Sequence, residues 1–295
     1  MHYTGSVYRP PLEANTVLLE VTSGCSWNKC SFCSMYHDTR FGVTSLDVIE
    51  ADLKEVSMVS TQVERIFLVN GDAFTLGYEQ LMKIAQMVHK YLPEIKTISC
   101  YASIRNIRTK SMEQLRKLHE VGFNDFYIGL ETASDYGLEL MNKGYTQKEE
   151  YENLEKLKLA GISYNAIIMY GVVGPELSKE HIKETAKLLN RFKPKVILSM
   201  STSVQPNTAL WDYRKEGKYV ELTERELINE ELDFIKSLNM DDECYYFGSH
   251  PYNLMSVSGY FENKDKIVKY IENKKEELDN TRPGLLDKVL SRGSL

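Results

Sequence analysis

Three cysteines fall within nine residues near the start of the chain, and their number and spacing indicate metal chemistry. Cys25, Cys30 and Cys33 follow an apolar run at residues 16–21. An iron–sulfur cluster held by protein alone normally takes four thiolates, so three would leave one iron of a [4Fe–4S] cluster open to a reacting ligand. Structural zinc takes four closed ligands, and the nearest candidate for a fourth is His37. The spacing therefore favours an open iron–sulfur cluster over structural zinc or buried thiols.

The cysteine loop resembles the C-x3-C-x-aromatic-C signature of the radical S-adenosylmethionine (radical SAM) superfamily. The half Cys30-Ser-Phe-Cys33 fits the signature, whereas the first gap holds four residues in place of three. The resemblance implies that Cys25, Cys30 and Cys33 hold a [4Fe–4S] cluster and that Phe32 lies near the adenine of SAM. It also implies reductive cleavage of SAM to a 5′-deoxyadenosyl radical, with an electron donor such as flavodoxin or ferredoxin.

Two motifs at predicted strand ends provide candidates for binding the methionyl part of SAM. The turn Asn70-Gly71-Asp72 resembles the Gly-Gly-Glu-like turn that holds the methionyl ammonium, and its alternative is a plain turn with Asp72 as a helix N-cap. Arg105 follows the third strand and is a candidate for bidentate pairing with the SAM carboxylate. Its alternative is a solvated loop arginine.

Two later strand ends provide candidates for binding the nucleoside part of SAM. Glu131 ends an apolar strand, where an unpaired glutamate is rarely buried. The resemblance implies that it binds the ribose hydroxyls or the amino group of SAM, and the alternative is a carboxylate at the start of a helix. Gly171 allows close backbone approach, expected here to be to adenine, with a phosphate cradle as the weaker alternative.

Two further segments resemble the oxygen-independent coproporphyrinogen-oxidase-like subgroup of the superfamily. Residues 201–211 resemble its Pro-x-Pro-Gly-Thr-x-Leu turn, with Asn207 in place of the glycine, so a left-handed backbone is expected there. Residues 247–253 also match this subgroup, and the resemblance places His250 and Asn253 at the open mouth of the barrel as catalytic candidates. The alternative is a structural loop histidine.

Short apolar segments alternate with amphipathic ones, which predicts an α/β fold with parallel strands. The predicted strands are residues 17–22, 65–70, 97–101, 125–130, 165–170 and 195–200. The predicted helices between them are residues 45–60, 78–91, 111–121, 146–160 and 178–192. Six βα alternations fall short of the eight that close a barrel, so we expect a partial (β/α)6 TIM-like barrel with its site at the carboxyl ends of the strands.

The last third of the chain is expected to add a helical extension that packs on the barrel and caps its mouth. We assign residues 15–215 to the barrel and 216–295 to the extension, with helices at 223–239 and 264–279. Residues 240–261 are predicted to form a strand or loop across the mouth, and residues 280–295 are expected to dock loosely or fray.

Composition narrows the class of partner. The 295 residues carry a net charge of −6, which disfavours nucleic acid as a partner, since nucleic-acid modules tend to be basic. Residues 1–15 do not resemble a secretory signal, and no stretch has the ~18–20 apolar residues of a membrane helix. We therefore expect a cytoplasmic protein that does not act at a membrane and binds a small-molecule substrate.

The acidic and aromatic segment at residues 241–246 suggests a substrate. Carboxylates can accept hydrogen bonds from a guanine-like edge, and tyrosines can stack on a planar base. The segment resembles the queuine lyases, which cut a 7-deazapurine base back to its aminomethyl precursor in queuosine salvage, and its alternative is a solvated loop. Radical SAM modification of tRNA, peptide or tetrapyrrole and a non-catalytic metal-binding protein are the other functions considered.

Overall fold

The computed structural model describes residues 1–60 and 62–292. Its strands are β1 (Val17–Glu20), β2 (Thr22–Ser23), β3 (Gly42–Val43), β4 (Arg65–Val69), β5 (Thr97–Ala102), β6 (Phe123–Glu131), β7 (Ser163–Tyr170), β8 (Val196–Ser201), β9 (Tyr245–Phe247) and β10 (Ser258–Tyr260). Strands β2 and β3 form a small antiparallel pair. The other eight form one sheet in the order β1-β4-β5-β6-β7-β8-β9-β10, which confirms the α/β class and the partial-barrel type of sheet.

The helices alternate with the strands as the sequence pattern predicts. They are α1 (Leu46–Val59), α2 (Tyr78–Tyr91), α3 (Ile104–Arg108), α4 (Met112–Glu120), α5 (Asp135–Leu140), α6 (Gln147–Ala160), α7 (Ser178–Phe192), α8 (Ala209–Lys215), α9 (Glu224–Ser237) and α10 (Lys264–Thr281). All five helices predicted between strands are present. The short helices α3 and α5 have too few turns to show an amphipathic period, and this explains why the sequence pattern did not predict them.

Helix ends follow from local side-chain chemistry. Ser111 accepts a hydrogen bond from the backbone N–H of Gln114, whose side chain bonds back, and the two residues form a capping box at the start of α4. Thr223 caps α9 in the same way. Gly122 and Gly161 follow α4 and α6 with positive φ of 99° and 79°, the backbone that glycine adopts without strain at a helix end.

Residues 240–261 extend the sheet. Strand β9 pairs with β8 in parallel and becomes a further parallel strand, and β10 pairs with β9 in antiparallel fashion at the edge. The prediction of a strand in this segment is therefore confirmed, and its crossing of the barrel mouth stays a prediction.

Contacts divide the chain into two compact units. Unit 1 comprises Met1–Asn28, Met35–Gly129 and Glu152–Tyr164, and unit 2 comprises Lys29–Ser34, Leu130–Tyr151 and the chain from Asn165 onward. The predicted boundary at residue 215 stays a prediction. The division places Cys25 in unit 1 and Cys30 and Cys33 in unit 2, so the two units are described separately below.

Unit 1 has an aromatic core with an ion-pair network at the amino ends of its strands. The ring of Phe67 meets those of Tyr101 and Tyr127 edge to face, with centroids 5.3 and 5.8 Å away. The guanidinium of Arg65 bonds the buried carboxylate of Glu13 and lies 2.8 Å from Asp125. The ion pairs thus lie at the end of these strands opposite to the carboxyl ends, where the binding site is expected.

Unit 2 packs helix α9 against its strands through a buried polar network. Tyr246 donates to Glu231 Oε1 at 2.5 Å, and its hydroxyl lies 2.7 Å from Ser199 Oγ and 3.0 Å from the Tyr170 hydroxyl. Burial raises the pKa of Glu231 to about 7. The network joins α9 to strands β7, β8 and β9.

The segment after α10 is held firmly up to the last described residue. Leu286 is buried, and the carbonyls of Leu286 and Lys288 accept the backbone N–H groups of Arg225 and Glu224. The expectation of a loosely docked or frayed end is therefore wrong for residues 285–292, because capping groups and a buried ion pair fix them. Residues 293–295 of that prediction lie outside the described part of the chain. No described helix is both long and apolar enough to cross a membrane.

Candidate active site at the carboxyl ends of the strands

In unit 1, the turn after β4 is held in place by side-chain hydrogen bonds of its first residue, Asn70. Asn70 has a φ of 73° and donates through Nδ2 to Glu20 Oε2 at 3.0 Å and to the carbonyl of Thr22 at 3.1 Å. Gly71 N–H donates to the carbonyl of Gly24 at 3.2 Å, which ties the turn to the start of the cysteine loop. The buried Oδ1 of Asn70 accepts no hydrogen bond from any residue the structure describes, so an acceptor is available here for a ligand N–H group.

Asp72 lies in a setting that suits ligand binding better than helix capping. Its side chain makes no cap hydrogen bond to the short helix that follows, which removes the N-cap alternative. The Ser26 hydroxyl donates to its carboxylate, and Arg105 NH2 lies 3.9 Å from Oδ2. Burial raises the pKa of Asp72, while Ser26, Arg105, Asn106 and Lys110 favour its ionised form. The structure thus brings Asp72 and Arg105 together.

Arg105 is held in place and is not a solvated loop arginine. Its guanidinium carbon lies 4.4 Å from the ring centroid of Trp27 in the cysteine loop, and its side chain is 13% exposed. The helix α3 that carries it begins with a capping box between Ser103 and Asn106. Sequence analysis did not identify Trp27 as a site residue, although it is an aromatic residue between Cys25 and Cys30, in the gap that is one residue longer than in the superfamily signature.

Gly71 leaves room for an aromatic ring. A Cβ at Gly71 would lie 2.5 Å from Cε2 of Tyr36, a buried residue whose ring meets that of Tyr8 edge to face at 5.3 Å. Replacing Gly71 with alanine should therefore displace Tyr36 and destabilise the protein by about 1–3 kcal/mol, the usual cost of overpacking. Urea denaturation measures this loss.

The additional variant Tyr36→Ala tests the cause of that loss. If the clash is responsible, Gly71→Ala should cost much less in a Tyr36→Ala background, because the obstructing ring is gone. Equal costs in both backgrounds would show that Gly71 is needed for another reason.

In unit 2, Glu131 ends β6 in a buried ion pair. Its φ is 65°, its exposure is 6%, and its Oε1 lies 2.9 Å from Nζ of Lys143. Burial lowers the pKa of Lys143, but the neighbouring Glu131 carboxylate more than offsets this, so the pKa lies above its usual value. The Cys30 thiol also interacts with this ammonium, and the Phe32 ring centroid lies 5.9 Å from it. The structure thus groups Glu131 with Phe32 and one cysteine.

Lys143 is a site residue that sequence reasoning missed. It lies after α5, outside any strand end, so its place in the sequence gave no sign that it turns back to Glu131. A third buried group, Glu150, interacts with the same ammonium, and neither of its carboxylate oxygens accepts a hydrogen bond from a described residue. Burial raises the pKa of Glu150 well above its usual value, which favours its uncharged form.

Gly171 adopts a backbone that favours glycine at the end of β7. Its φ is 77°, and a Cβ there would lie 2.9 Å from Leu227 Cδ2. Its N–H donates to Glu230 Oε2 at 2.6 Å and its carbonyl accepts from Tyr219 at 2.7 Å. Because that N–H is already donated, the phosphate-cradle alternative loses its donor. The adenine contact stays a prediction.

The two catalytic candidates lie in the loop between β9 and β10. Asn253 accepts from Ser201 N–H at 2.7 Å and donates to the carbonyls of Ser199 at 3.0 Å and Gly248 at 2.8 Å. Its amide therefore ties the loop to the end of β8. His250 Nδ1 accepts the Tyr252 N–H at 3.1 Å, and burial lowers its pKa. A catalytic role for either residue stays a prediction.

The turn after β8 has the predicted geometry. Asn207 has a φ of 63°, so the expected left-handed backbone at the position of the subgroup's glycine is confirmed.

The five cysteines separate into two kinds. Cys25, Cys30 and Cys33 are partly exposed, whereas Cys100 and Cys244 are buried, and none of the five is in a disulfide. Burial raises the pKa of Cys244 to about 12, so this thiol is inert. Among residues 1–60 and 62–292, no three His, Cys, Asp or Glu side chains converge as metal ligands would. Three accessible thiols on one loop fit an iron–sulfur cluster as a donor set, and the cluster assignment therefore depends on cysteine spacing and on family.

The acidic segment proposed to read a base lies at the wrong end of its strand. Asp241, Asp242 and Glu243 are exposed and precede β9, which runs parallel to β8, so they lie at the amino ends of these strands. Asp241 pairs with Lys193 at 3.3 Å, and Tyr246 is fully buried against Glu231. The interpretation of this segment as a base-binding surface is wrong, because active sites of such sheets lie at the opposite ends.

Comparison with known proteins identifies the family. A family model described as the radical SAM superfamily matches residues 19–189, more than half of the chain, including the cysteine loop and the ends of the first five parallel strands. The chain belongs to this superfamily. Its members use a [4Fe–4S] cluster and SAM, so the predicted cofactors are those of the family.

The radical SAM chain also resembles individual proteins. It is 26% identical over 199 residues to the heme chaperone HemW of Bacillus subtilis (strain 168), covering 64% of this chain and 51% of the relative. It is 24% identical over 243 residues to tRNA-2-methylthio-N(6)-dimethylallyladenosine synthase of Sulfurihydrogenibium sp. (strain YO3AOP1), covering 77% and 53%. The chain thus spans about half the length of these relatives.

A solved structure supports the fold. The coproporphyrinogen III oxidase HemN of Escherichia coli superimposes with a TM-score of 0.52 at 16% identity, over 75% of this chain and 50% of that one. At 16% identity this likeness shows the fold alone, and it is the sequence similarity to HemW that supports the resemblance to the coproporphyrinogen-oxidase-like subgroup.

Proposed function

We propose that this radical SAM enzyme abstracts a hydrogen atom from a small polar substrate. The observation that carries the proposal is the loop with three accessible cysteines inside the region that matches the superfamily. When bound, the [4Fe–4S] cluster and SAM supply a 5′-deoxyadenosyl radical from a one-electron cleavage. The protein supplies binding, orientation and exclusion of water.

Cys25, Cys30 and Cys33 would hold three irons of the cluster as thiolates. In unit 1, Asp72 and the vacant acceptor Asn70 Oδ1 are suited to an ammonium, and the guanidinium of Arg105 is suited to a carboxylate. An amino acid group of the kind SAM carries presents both charges. This match of charges supports the assignment of Asp72 and Arg105, and of Gly71 next to Asp72, to SAM.

In unit 2, the opposite charges of Glu131 and Lys143 neutralise each other, and the pair supports binding of a polar ligand. The pair places a carboxylate and an ammonium in a dry interior with no net charge, close to Phe32. Glu131 can then accept hydrogen bonds from hydroxyls, as the assignment to the SAM ribose requires. The adenine contact proposed for Gly171, at the neighbouring strand end, would be a packing contact, because its N–H and its carbonyl are both hydrogen bonded within unit 2.

The narrower prediction of a lyase acting on a 7-deazapurine base in queuosine salvage has lost its structural support, because residues 241–246 lie away from the carboxyl ends of the strands. It stays a prediction, and an assay panel decides it. Purified protein, reconstituted anaerobically with iron and sulfide, would be mixed with SAM, dithionite and queuine, nucleosides, short peptides or porphyrinogens. Production of 5′-deoxyadenosine stimulated by one class identifies the substrate.

The same assay separates the alternatives. A tRNA substrate should bind with strong salt dependence through phosphate contacts. Such binding, together with 5′-deoxyadenosine production that no small molecule stimulates, would favour tRNA as the substrate. A reconstituted protein that holds iron yet cleaves no SAM under any condition would contradict the proposed function and favour a non-catalytic metal-binding or carrier protein.

Arg105→Ala should weaken SAM binding about 10–100-fold, because it removes a charged partner of the ligand carboxylate from a site where water is limited. Arg108→Ala is the matched control: the residue belongs to the same short helix but is exposed. Equilibrium dialysis of the reconstituted protein with radiolabelled SAM measures both. Similar affinities for the two variants would remove Arg105 from the site.

A further inference from the structure

We propose that Arg292, near the end of the chain, is a positioning residue for the loop that carries His250. The inference rests on the proposed function and on the prediction that His250 lies at the mouth of the barrel, and it concerns residues of unit 2 only. It assigns a role to a segment, residues 285–292, that the sequence suggested was loosely docked.

Arg292 is the centre of a buried set of contacts. Its NH2 bonds both carboxylate oxygens of Glu224, at 2.7 and 2.8 Å, and the two side chains are 9% and 1% exposed. Its NH1 donates to the carbonyl of Leu290 at 3.0 Å, and its Nε donates to the carbonyl of Tyr252. Because all three guanidinium nitrogens donate hydrogen bonds and the side chain is buried, the guanidinium is fixed in one orientation.

The backbone around Arg292 is anchored as well. Glu224 and Arg225 open helix α9, and their N–H groups, which no earlier turn of the helix can satisfy, donate to the carbonyls of Lys288 at 2.9 Å and Leu286 at 2.8 Å. The segment therefore caps α9 while it delivers Arg292 to the loop after β9. Gln205, from the turn after β8, donates to the carbonyl of Arg292 at 3.2 Å.

The contact with Tyr252 passes directly to His250. Tyr252 accepts from Arg292 through its carbonyl, and it donates through its N–H to His250 Nδ1 at 3.1 Å. The two rings meet edge to face with centroids 4.9 Å apart. One residue thus links the guanidinium to the imidazole, and a shift of Tyr252 must change the orientation of His250.

The hydrogen bond to Nδ1 determines which nitrogen of the His250 imidazole carries the proton. With Nδ1 accepting a backbone N–H, the remaining proton of a neutral imidazole is on Nε2, so the ring presents a donor to whatever lies beyond it. Arg292 brings no net charge to the loop, since Glu224 neutralises it. Arg292 therefore positions the ring without itself attracting a charged substrate.

Arg292→Gln tests this link in the full-length reconstituted protein. The variant loses the pair with Glu224 and the donor to Tyr252, so local opening of the loop should increase about tenfold. Two readouts report it without any substrate: hydrogen–deuterium exchange of peptides covering residues 248–256, and the rate of carbethoxylation of His250 by diethyl pyrocarbonate, located by peptide mass spectrometry. Both should rise about tenfold.

Arg225→Gln is the matched control. Arg225 bonds Asp279 in α10 and Asp287 in the same segment, both at the surface, so its loss loosens that anchoring without touching Tyr252. The inference is overturned if Arg292→Gln matches the wild type or if Arg225→Gln changes both readouts equally. If Arg292→Gln does not fold, Glu224→Gln is used, since it keeps the arginine but weakens its partner. A smaller rise in hydrogen–deuterium exchange confined to the same peptide would support the inference, and no rise would overturn it. Formation of 5′-deoxyadenosine by the wild type reports the proposed function separately.

Discussion

Cys30→Ala should empty the metal site and abolish SAM cleavage. A protein reconstituted with iron and sulfide should hold about four irons per chain, and the variant should hold well under one, because a cluster already short of a fourth protein ligand cannot spare another. Loss of residues that merely support metal ligands costs 10–100-fold, so loss of a ligand should lower 5′-deoxyadenosine formation by at least ~100-fold. Iron analysis, the visible absorption of the cluster and chromatography of the nucleoside measure these changes.

The chain provides controls of the same residue type. Cys100 lies in β5 and Cys244 precedes β9, and both are buried thiols outside the loop. Cys100→Ala and Cys244→Ala should retain iron and activity within about twofold, apart from a modest loss of stability from the vacated volume. Retention of the cluster by Cys30→Ala, or its loss in either control, would contradict the assignment of the metal ligands.

The sequence predicted the elements of this fold well because their signals are local. Periodicity located the six parallel strands, and the helices predicted at 111–121 and 223–239 begin where Ser111 and Thr223 cap them locally. Gly71 and Asp72 were found by resemblance and Arg105 by its place after the third strand, and the structure brings Asp72 and Arg105 together. Parallel strands place their carboxyl ends on one edge, so residues far apart in sequence could be expected to meet there.

What the sequence could not show were pairings made by residues outside the strand ends. Lys143 reaches Glu131 from beyond α5, and Arg292 reaches Glu224 across 68 positions of sequence, each through a long flexible side chain with no periodic signal. The misplaced substrate segment has a different cause. Residues 241–246 were interpreted by composition alone, whereas their position depends on β9 running parallel to β8, which composition does not determine.

The second large effect concerns the buried pair in unit 2. Lys143→Met should destabilise the protein by about 3–5 kcal/mol, because it leaves the Glu131 carboxylate buried without its counter-charge. Both side chains are 8% exposed and their charged atoms are 2.9 Å apart, so water cannot replace the lost ammonium. Glu150 cannot compensate, because a carboxyl group has no positive charge to offer the Glu131 carboxylate. Urea denaturation at neutral pH measures the loss as a lower midpoint at an unchanged slope.

A double-mutant cycle separates the pair from its surroundings. Adding Glu131→Gln to Lys143→Met should recover part of the stability, because no uncompensated charge then remains in the interior. The exposed pair Glu113–Lys117, with its charged atoms 2.7 Å apart, is the control: Lys117→Met should cost only about 0.2–0.5 kcal/mol. Equal losses for Lys143→Met and Lys117→Met would show that burial does not set the strength of the Glu131 pair, and the proposed polar but neutral site at the end of β6 would then lack its physical basis.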